Sequence, residues 1–246
     1  MARQVPSDRL AAVIDAGTAV FVAQGYRRTQ MQDVADALGV AKGTLYGAVR
    51  GKEALLLACV RYADGLVPLP GPGGWPLPTP AGGELVAVVG DRLGEVADLA
   101  LSRVPDRIDS SSAVEEIALI VTDLLQRLAR HRNAIKLVDR CAPEIPELAQ
   151  LWFGAGRAQL VERLHAYLDR RADQGLIRLA TGAGPGAWDV VARTVVESCV
   201  LWAVHRHWDP APATFRSAQS EAVVAATLSA LFADGVAAGP ASLPLE

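Results

Sequence analysis

Gly39 separates two short runs whose apolar residues recur at helical spacing, and so demands a sharp turn between two helices that must pack on each other. Upstream, Met31, Val34, Ala35 and Leu38 form one apolar stripe and leave Gln32, Asp33 and Asp36 for water. Thr29 and Gln32 stand in capping-box order, which predicts a helix starting near Gln30. Downstream, Val40 and Leu45 hold a second helix onto the first, leaving Lys42, Gly43, Thr44 and Tyr46 outward. Two helices joined this way read as a helix-turn-helix, whose second helix offers side chains to phosphates and base edges in a DNA major groove. The same turn also serves as plain packing in many helical proteins, where Thr29 only caps, Met31 only packs and Lys42 is an ordinary solvated lysine.

The pattern around this turn is helical throughout. Leu10, Val13, Ile14, Gly17 and Phe21 follow one stripe from Arg9 to Gln24, and Gly25 supplies the C-terminal cap. Residues 1–8 read as a short arm in which Arg3 and Arg9 stand ready for a DNA backbone, or as a frayed terminus. Arg27 and Arg28 lie in the next loop, beside Thr29. Residues 1–62 carry eight Lys/Arg against five Asp/Glu, a net of +3, so with −3 overall the remainder carries −6. A mildly basic end on an acidic body suits a nucleic-acid partner, although a solvated surface produces the same asymmetry.

At these residues the sequence resembles the tetracycline-repressor (TetR) family of bacterial transcription regulators. Ala16, Phe21, Gly25, Tyr26 and Thr29 are similar to the family's first helix and its exit; Asp33-Val34-Ala35 resembles its "DIA" and Gly39 to Tyr46 its "GVSKGTLY", and Lys52-Glu53-Ala54-Leu55 matches the start of its fourth helix. The resemblance implies an all-α protein, with an N-terminal three-helix DNA-binding head followed by a helical-bundle body that binds ligand and dimerises. By that reading residues 1–52 are the head, 53–65 a linking helix, 66–83 a Pro/Gly-rich segment and 84–246 the body. Thr29, Gln30, Lys42, Gly43, Thr44, Tyr46 and Lys52 are the expected DNA-binding residues. Two departures stand beside them: Gly47 and Ala48 replace a contacting aromatic or histidine, and Gly51 replaces a side-chain cap, at a cost of only a few tenths of a kcal/mol.

Leu55, Leu56, Cys59 and Tyr62 predict the linking helix from Lys52 to about Gly65. It then meets GLVPLPGPGGWPLPTPAGG, whose six prolines no helix sustains. With Leu66, Val67, Leu69, Trp75 and Leu77 this segment is too apolar for a solvated linker, and reads as an extended stretch lying across the body, with Trp75 as a ligand lid or a partner contact. Helices are expected over 84–103, 112–131, 133–141, 146–174, 187–208 and 214–233. Trp75, Arg140, Trp152 and Phe153 are candidate walls for a small-molecule effector, although aromatic residues at helical spacing usually belong to the core. Trp188, Val191, Val195, Cys199, Trp202, Ala222 and Ala226 are the expected homodimer interface, which reading a palindromic operator requires.

Catalysis finds little support. His131, His165, His205 and His207 are scattered, and there is neither a phosphate-binding glycine loop nor a nucleophile elbow. No metal site and no cofactor are expected. Cys59, Cys141 and Cys199 are odd in number and widely spaced, so a reducing cytoplasm is the simplest compartment. MARQVPSDRL lacks the apolar core of a signal peptide, and nothing is expected to enter a membrane. The resemblance to the TetR family implies a ligand-responsive repressor released from its operator by an effector. The alternatives are a redox-responsive regulator using Cys141 or Cys199, and a helical small-molecule-binding protein with a degenerate head.

Overall fold

The computed structural model describes residues 7–97, 110–179, 186–209 and 221–236. Eleven α-helices are described: α1 (Ser7–Gln24), α2 (Met31–Leu38), α3 (Lys42–Tyr46), α4 (Lys52–Tyr62), α5 (Glu84–Ala97), α6 (Ser110–Arg130), α7 (Arg132–Cys141), α8 (Pro146–Ala149), α9 (Arg157–Asp173), α10 (Ala187–Val200) and α11 (Glu221–Gly235). The all-α reading therefore holds. The expected arm with Arg3 lies outside the described residues, as do the ends of two predicted helices at 98–103 and 214–220. None of the described helices is long and apolar enough to cross a membrane.

By packing, the chain falls into two units that interleave along the sequence: Met1–Gly94 with Arg130–Gly156, and Glu95–Ala129 with Arg157–Glu246. In the first, α1 packs on α2, α4 and α7. Leu10, Ile14, Phe21, Val34, Leu45 and Leu55 are enclosed, each stabilising the unit by roughly 1.5–3 kcal/mol. Every residue of α4 from Ala54 to Val60 is buried. A helix apolar all round belongs inside a core, so α4 is an internal strut and not the one-faced surface helix its stripe suggests.

α4 stops at Tyr62, short of Gly65, and its end is capped by side chains from two other helices. Arg92 Nη2 donates to Arg61 O (2.6 Å) and Asn133 Nδ2 to Ala63 O (2.7 Å). These satisfy carbonyls that a helix end leaves unpaired. In return the Asp64 carboxylate accepts the N–H groups of Asn133 (2.8 Å) and Ala134 (3.1 Å), capping α7. Burial pushes the Asp64 carboxyl above its ordinary range, and those two N–H groups pull part of the way back.

Between α4 and α5 the Pro/Gly-rich segment leaves and returns as a strap. Its base is closed by Glu84, whose carboxylate accepts from Arg61 Nη2 (3.0 Å) and from the Ala81 N–H (3.0 Å). Its far side is folded on itself: Trp75 Nε1 donates to Pro70 O (3.0 Å) above a 3-10 turn at Pro72–Gly74. The tip then pairs in parallel with the chain after α3, with Val49 opposite Leu77.

The second unit is built from α6, α9, α10 and α11. Ile120, Leu124, Leu164, Leu168 and Val196 fill its interior. Arg171, fully enclosed, lies beside Glu116 at 3.0 Å, and Tyr167 donates its hydroxyl to the same carboxylate at 2.8 Å. Burial and that carboxylate raise the Tyr167 phenol. The helices expected over 146–174 and 187–208 are each interrupted by a π-helical stretch, Gln150–Gly156 and Leu201–His205. Neither stretch contains a proline, so no obligate breaker announces the interruption in the sequence.

The Ala81 N–H and Arg61 hold the Glu84 carboxyl below its ordinary value of 4.5. A depressed folded-state value adds stability above pH 4.5 that is lost as pH falls through the folded value. Glu84→Gln should therefore melt below the parent at neutral pH, and the gap should shrink in melts run below pH 4.5. A gap independent of pH would place the effect elsewhere.

Candidate nucleic-acid interface

The loop from Gly25 to Gln30 joins α1 to α2, the helix on which α3 packs. Gly25 ends α1 in the left-handed conformation (φ 83°), with its N–H on Phe21 O (2.8 Å). A Cβ at this position would fall 2.7 Å from Glu144 Oε1, so only glycine lets that carboxylate close on the loop. Glu144 accepts the backbone N–H of Arg27. Thr29, 1% exposed, donates its hydroxyl to Gly25 O (2.6 Å). Lys52 Nζ donates to Tyr26 O (3.0 Å) and lies 4.4 Å from the centre of the Tyr26 ring.

These contacts alter the reading of two expected DNA-binding residues. Thr29 is buried and neither caps α2 nor faces outward, and Lys52 is half-buried with its ammonium on the loop. Their family-like spacing reflects the loop they fasten. The cap of α2 is Gln30, one residue later than predicted, and Asp33 Oδ2 accepts the Gln30 N–H (2.8 Å) where Gln32 was expected to reach back. Gln32 instead donates to Asp36 (2.7 Å). Gly39 is left-handed as expected (φ 64°), and the Gly39 and Val40 N–H groups close on Asp36 O and Ala35 O.

α3 is only five residues long, with Leu45 fully buried as its anchor. Gln30, Lys42 and Gly43 are exposed, Thr44 is half-buried, and Tyr46 keeps 45% of its surface in solvent. Beyond it Gly47 is exposed, whereas Ala48 and Val49 are buried. Position 48 therefore packs inward and is not an empty contact position on the surface. Arg27, Arg28 and Arg50 are exposed around the same motif. Arg50 was missed in the sequence; a lone cation between Val49 and Gly51 gives no periodic signal. Glu144 was missed as well, because nothing local announces a partner 117 residues away.

Among the described residues, none of the four expected effector walls lines the cavity beside Tyr167. Trp75 is bonded inside the strap and Arg140 lies against Gly25. Trp152 is buried with Nε1 on Asp139 (3.3 Å), and Phe153 is 49% exposed. That cavity, in the second unit, is lined instead by Ile117, Val121, Leu164, Tyr167, Val195 and Phe232, and its volume of about 10 Å³ is close to one water's worth of space. Of the expected dimer residues, Val195 and Cys199 pack inside this unit, Trp188, Val191 and Trp202 are half-buried, and Ala222 and Ala226 are exposed. Large apolar side chains face solvent at Val190 in α10, at Leu201 directly after it, and at Val223 and Leu231 in α11. The apolar stripe of α10 is thus committed to the chain's own core against α9, and the neighbouring face is the one left open.

All three thiols are enclosed. Burial pushes Cys59, Cys141 and Cys199 each up to about 12. Glu144 adds to the rise at Cys141, against Arg140 and Lys52. Such thiols withhold the thiolate that oxidation requires. Among the described residues no three His, Cys, Asp or Glu side chains are grouped to hold a metal ion.

Residues 13–59, from α1 into α4, match the family described as bacterial regulatory proteins, tetR family. Two solved structures share the fold along nearly the whole chain. A regulatory protein in the tetR family from Rhodococcus RHA1 is 16% identical with a TM-score of 0.53, the match covering 95% of this chain and 100% of that one. The ketosteroid transcriptional regulator KstR2 of Mycobacterium tuberculosis is 14% identical with a TM-score of 0.55, covering 96% and 99%. No curated protein matches the sequence.

Lys52 and Lys42 should separate cleanly in chemical denaturation. Lys52→Ala removes a charged donor from two carbonyls and a ring, and is expected to destabilise the protein by about 1–3 kcal/mol. Lys42→Ala should stay within about 0.5 kcal/mol of the parent. Equal losses would show that Lys52 is not a fastening residue. For the thiols, an alkylating reagent at pH 8 is expected to leave all three unmodified until denaturant is added, as read by intact mass.

Proposed function

Because the chain belongs to the TetR family of bacterial transcription regulators, a DNA-binding and not an enzymatic class, we propose that it is a repressor that binds a palindromic operator as a homodimer and is released by a small-molecule effector. The observation that carries this reading is the outward face of α3: Lys42, Gly43 and Tyr46 exposed on a helix whose buried Leu45 fixes its orientation. In a major groove Tyr46, Lys42 and Thr44 would meet phosphates and base edges, and Arg27, Arg28 and Arg50 would add sequence-independent phosphate attraction. Gln30, at the start of α2, stands where a helix that crosses the backbone touches phosphate.

A palindrome requires two such heads about one helical turn of DNA apart. The open face of α10 and α11, carrying Val190, Leu201, Val223, Ala226 and Leu231, is the surface proposed for the second copy. Its small residues let helices approach, and its larger ones supply apolar area that water disfavours. For the effector, the apolar seam beneath Tyr167 is the proposed entry; it is closed at its present volume, so binding would select a more open arrangement of α6, α9 and α10. A thiol switch is not favoured, since Cys141 and Cys199 are enclosed and protonated.

The test is enrichment of a random-sequence duplex library on the purified protein, followed by affinity for the enriched duplex across a salt series. A two-fold symmetric consensus is expected, with binding that weakens as salt rises and a Tyr46→Ala variant that loses about tenfold or more of its preference. Leu231→Asp should shift the sedimentation of the protein to that of a monomer and weaken selective binding. Failure to enrich any sequence would move the ligand-binding body ahead of DNA as the seat of function.

A further inference from the structure

The strap between α4 and α5 makes main-chain contact with the DNA-reading motif at one place, immediately after α3. Leu77 donates its N–H to Ala48 O (2.8 Å) and accepts the Arg50 N–H on its own carbonyl (2.9 Å). Ala48 and Val49, between those two bonds, are buried, and Val49 stands opposite Leu77 in a parallel bridge, so the strap's tip is bonded to the exit of α3. Within the chain after α3, the Ala48 and Val49 N–H groups turn back on Leu45 O. α3 has no side-chain cap at either end, and five residues are too few to hold a helix by their own hydrogen bonds. Its orientation must come from Leu45 on one side and from whatever fixes the turn at 47–51 on the other.

We propose that Leu77 is a positioning residue for DNA reading, and that the strap holds the exit of α3 so that Tyr46 meets the groove in register. This rests on the DNA-binding reading of the head. Three features of the strap suit it to holding and not to contacting. Gly65 to Gly83 carries no charged residue, so it brings no attraction for phosphate. Prolines at 68, 70, 72, 76, 78 and 80 restrict the backbone, and the Trp75 to Pro70 bond closes the loop on itself, so little freedom remains at the tip. Its base is tied to the end of α4 through Arg61, Glu84 and Ala81, which gives the tip a fixed support. The strap thus links the α4–α5 joint to the far end of the reading helix by a route separate from α4 itself.

The experiment compares Leu77→Pro, which deletes the N–H donated to Ala48, with Leu77→Ala, which keeps both main-chain bonds, and with a variant whose residues 67–80 are replaced by a Gly-Ser-Gly-Ser joint. Each full-length protein is measured on the library-enriched duplex, on a shuffled duplex at low salt, and for amide hydrogen exchange at Arg50. Leu77→Pro and the strapless variant are expected to lose about tenfold in affinity for the enriched duplex, to keep parental affinity for the shuffled one, and to exchange Arg50 faster. Leu77→Ala should follow the parent. Parental affinity of Leu77→Pro and the strapless variant for the enriched duplex would overturn the positioning role alone, and so would equal losses on both duplexes. A parent that enriches no duplex would overturn the DNA reading, and the positioning role with it.

Discussion

A helix of five residues does not hold its shape in water, because the first turn fixes several dihedral angles for a single hydrogen bond. α3 is such a helix, and much of the first unit can be understood as a frame around it. α3 packs on α2 with Leu45 buried beneath it, the left-handed Gly39 sets its entry, and the strap bonds to the chain at its exit. The loop ahead of α2 is held by Thr29 from within, by Lys52 from α4 and by Glu144 from the turn after α7. The same loop presents Arg27 and Arg28 to solvent. Attraction for phosphate and precision of placement are therefore handled by different groups in one short stretch.

That division also shows in Thr29 and Lys52, whose side chains are engaged within the fold. A lysine four positions after a turn looks free to bind an anion, yet an ammonium lowers its free energy further by meeting two carbonyl oxygens and a ring face already fixed by the fold. The acceptors lie 25 and 26 residues earlier, and sequence spacing carries no trace of them.

Local chemistry was legible where the cause is local. The turn at Gly39, the stripe of α2, the anchor Leu45 and the helix-breaking prolines each follow from a residue and its near neighbours, and each stands in the structure where the sequence put it. Where the cause is distant, legibility fails. The stripe of Val195 and Cys199 was correctly apolar but could not reveal whether α9 or a second subunit would cover it. Trp75 donates its ring N–H to a carbonyl five residues away in the same strap, a partner that its apolar setting in the sequence does not announce. Glu144 closing on Gly25 is the extreme case: glycine there looks like an ordinary helix stop until the carboxylate that needs its missing side chain comes into view.

The interleaving of the first unit has a consequence for how such a protein can change over time. Its frame takes in Asn133 and Glu144, which arrive only after the chain has passed through the first segment of the second unit, Glu95–Ala129. A reading motif transplanted with its first 94 residues would keep the Arg92 cap on α4 but leave behind the Asn133 cap and the Glu144 clamp on the Gly25 loop. Exchange of heads between relatives is thus handicapped, and new DNA preferences are more readily reached by altering the few exposed positions of α3 in place, with the frame untouched.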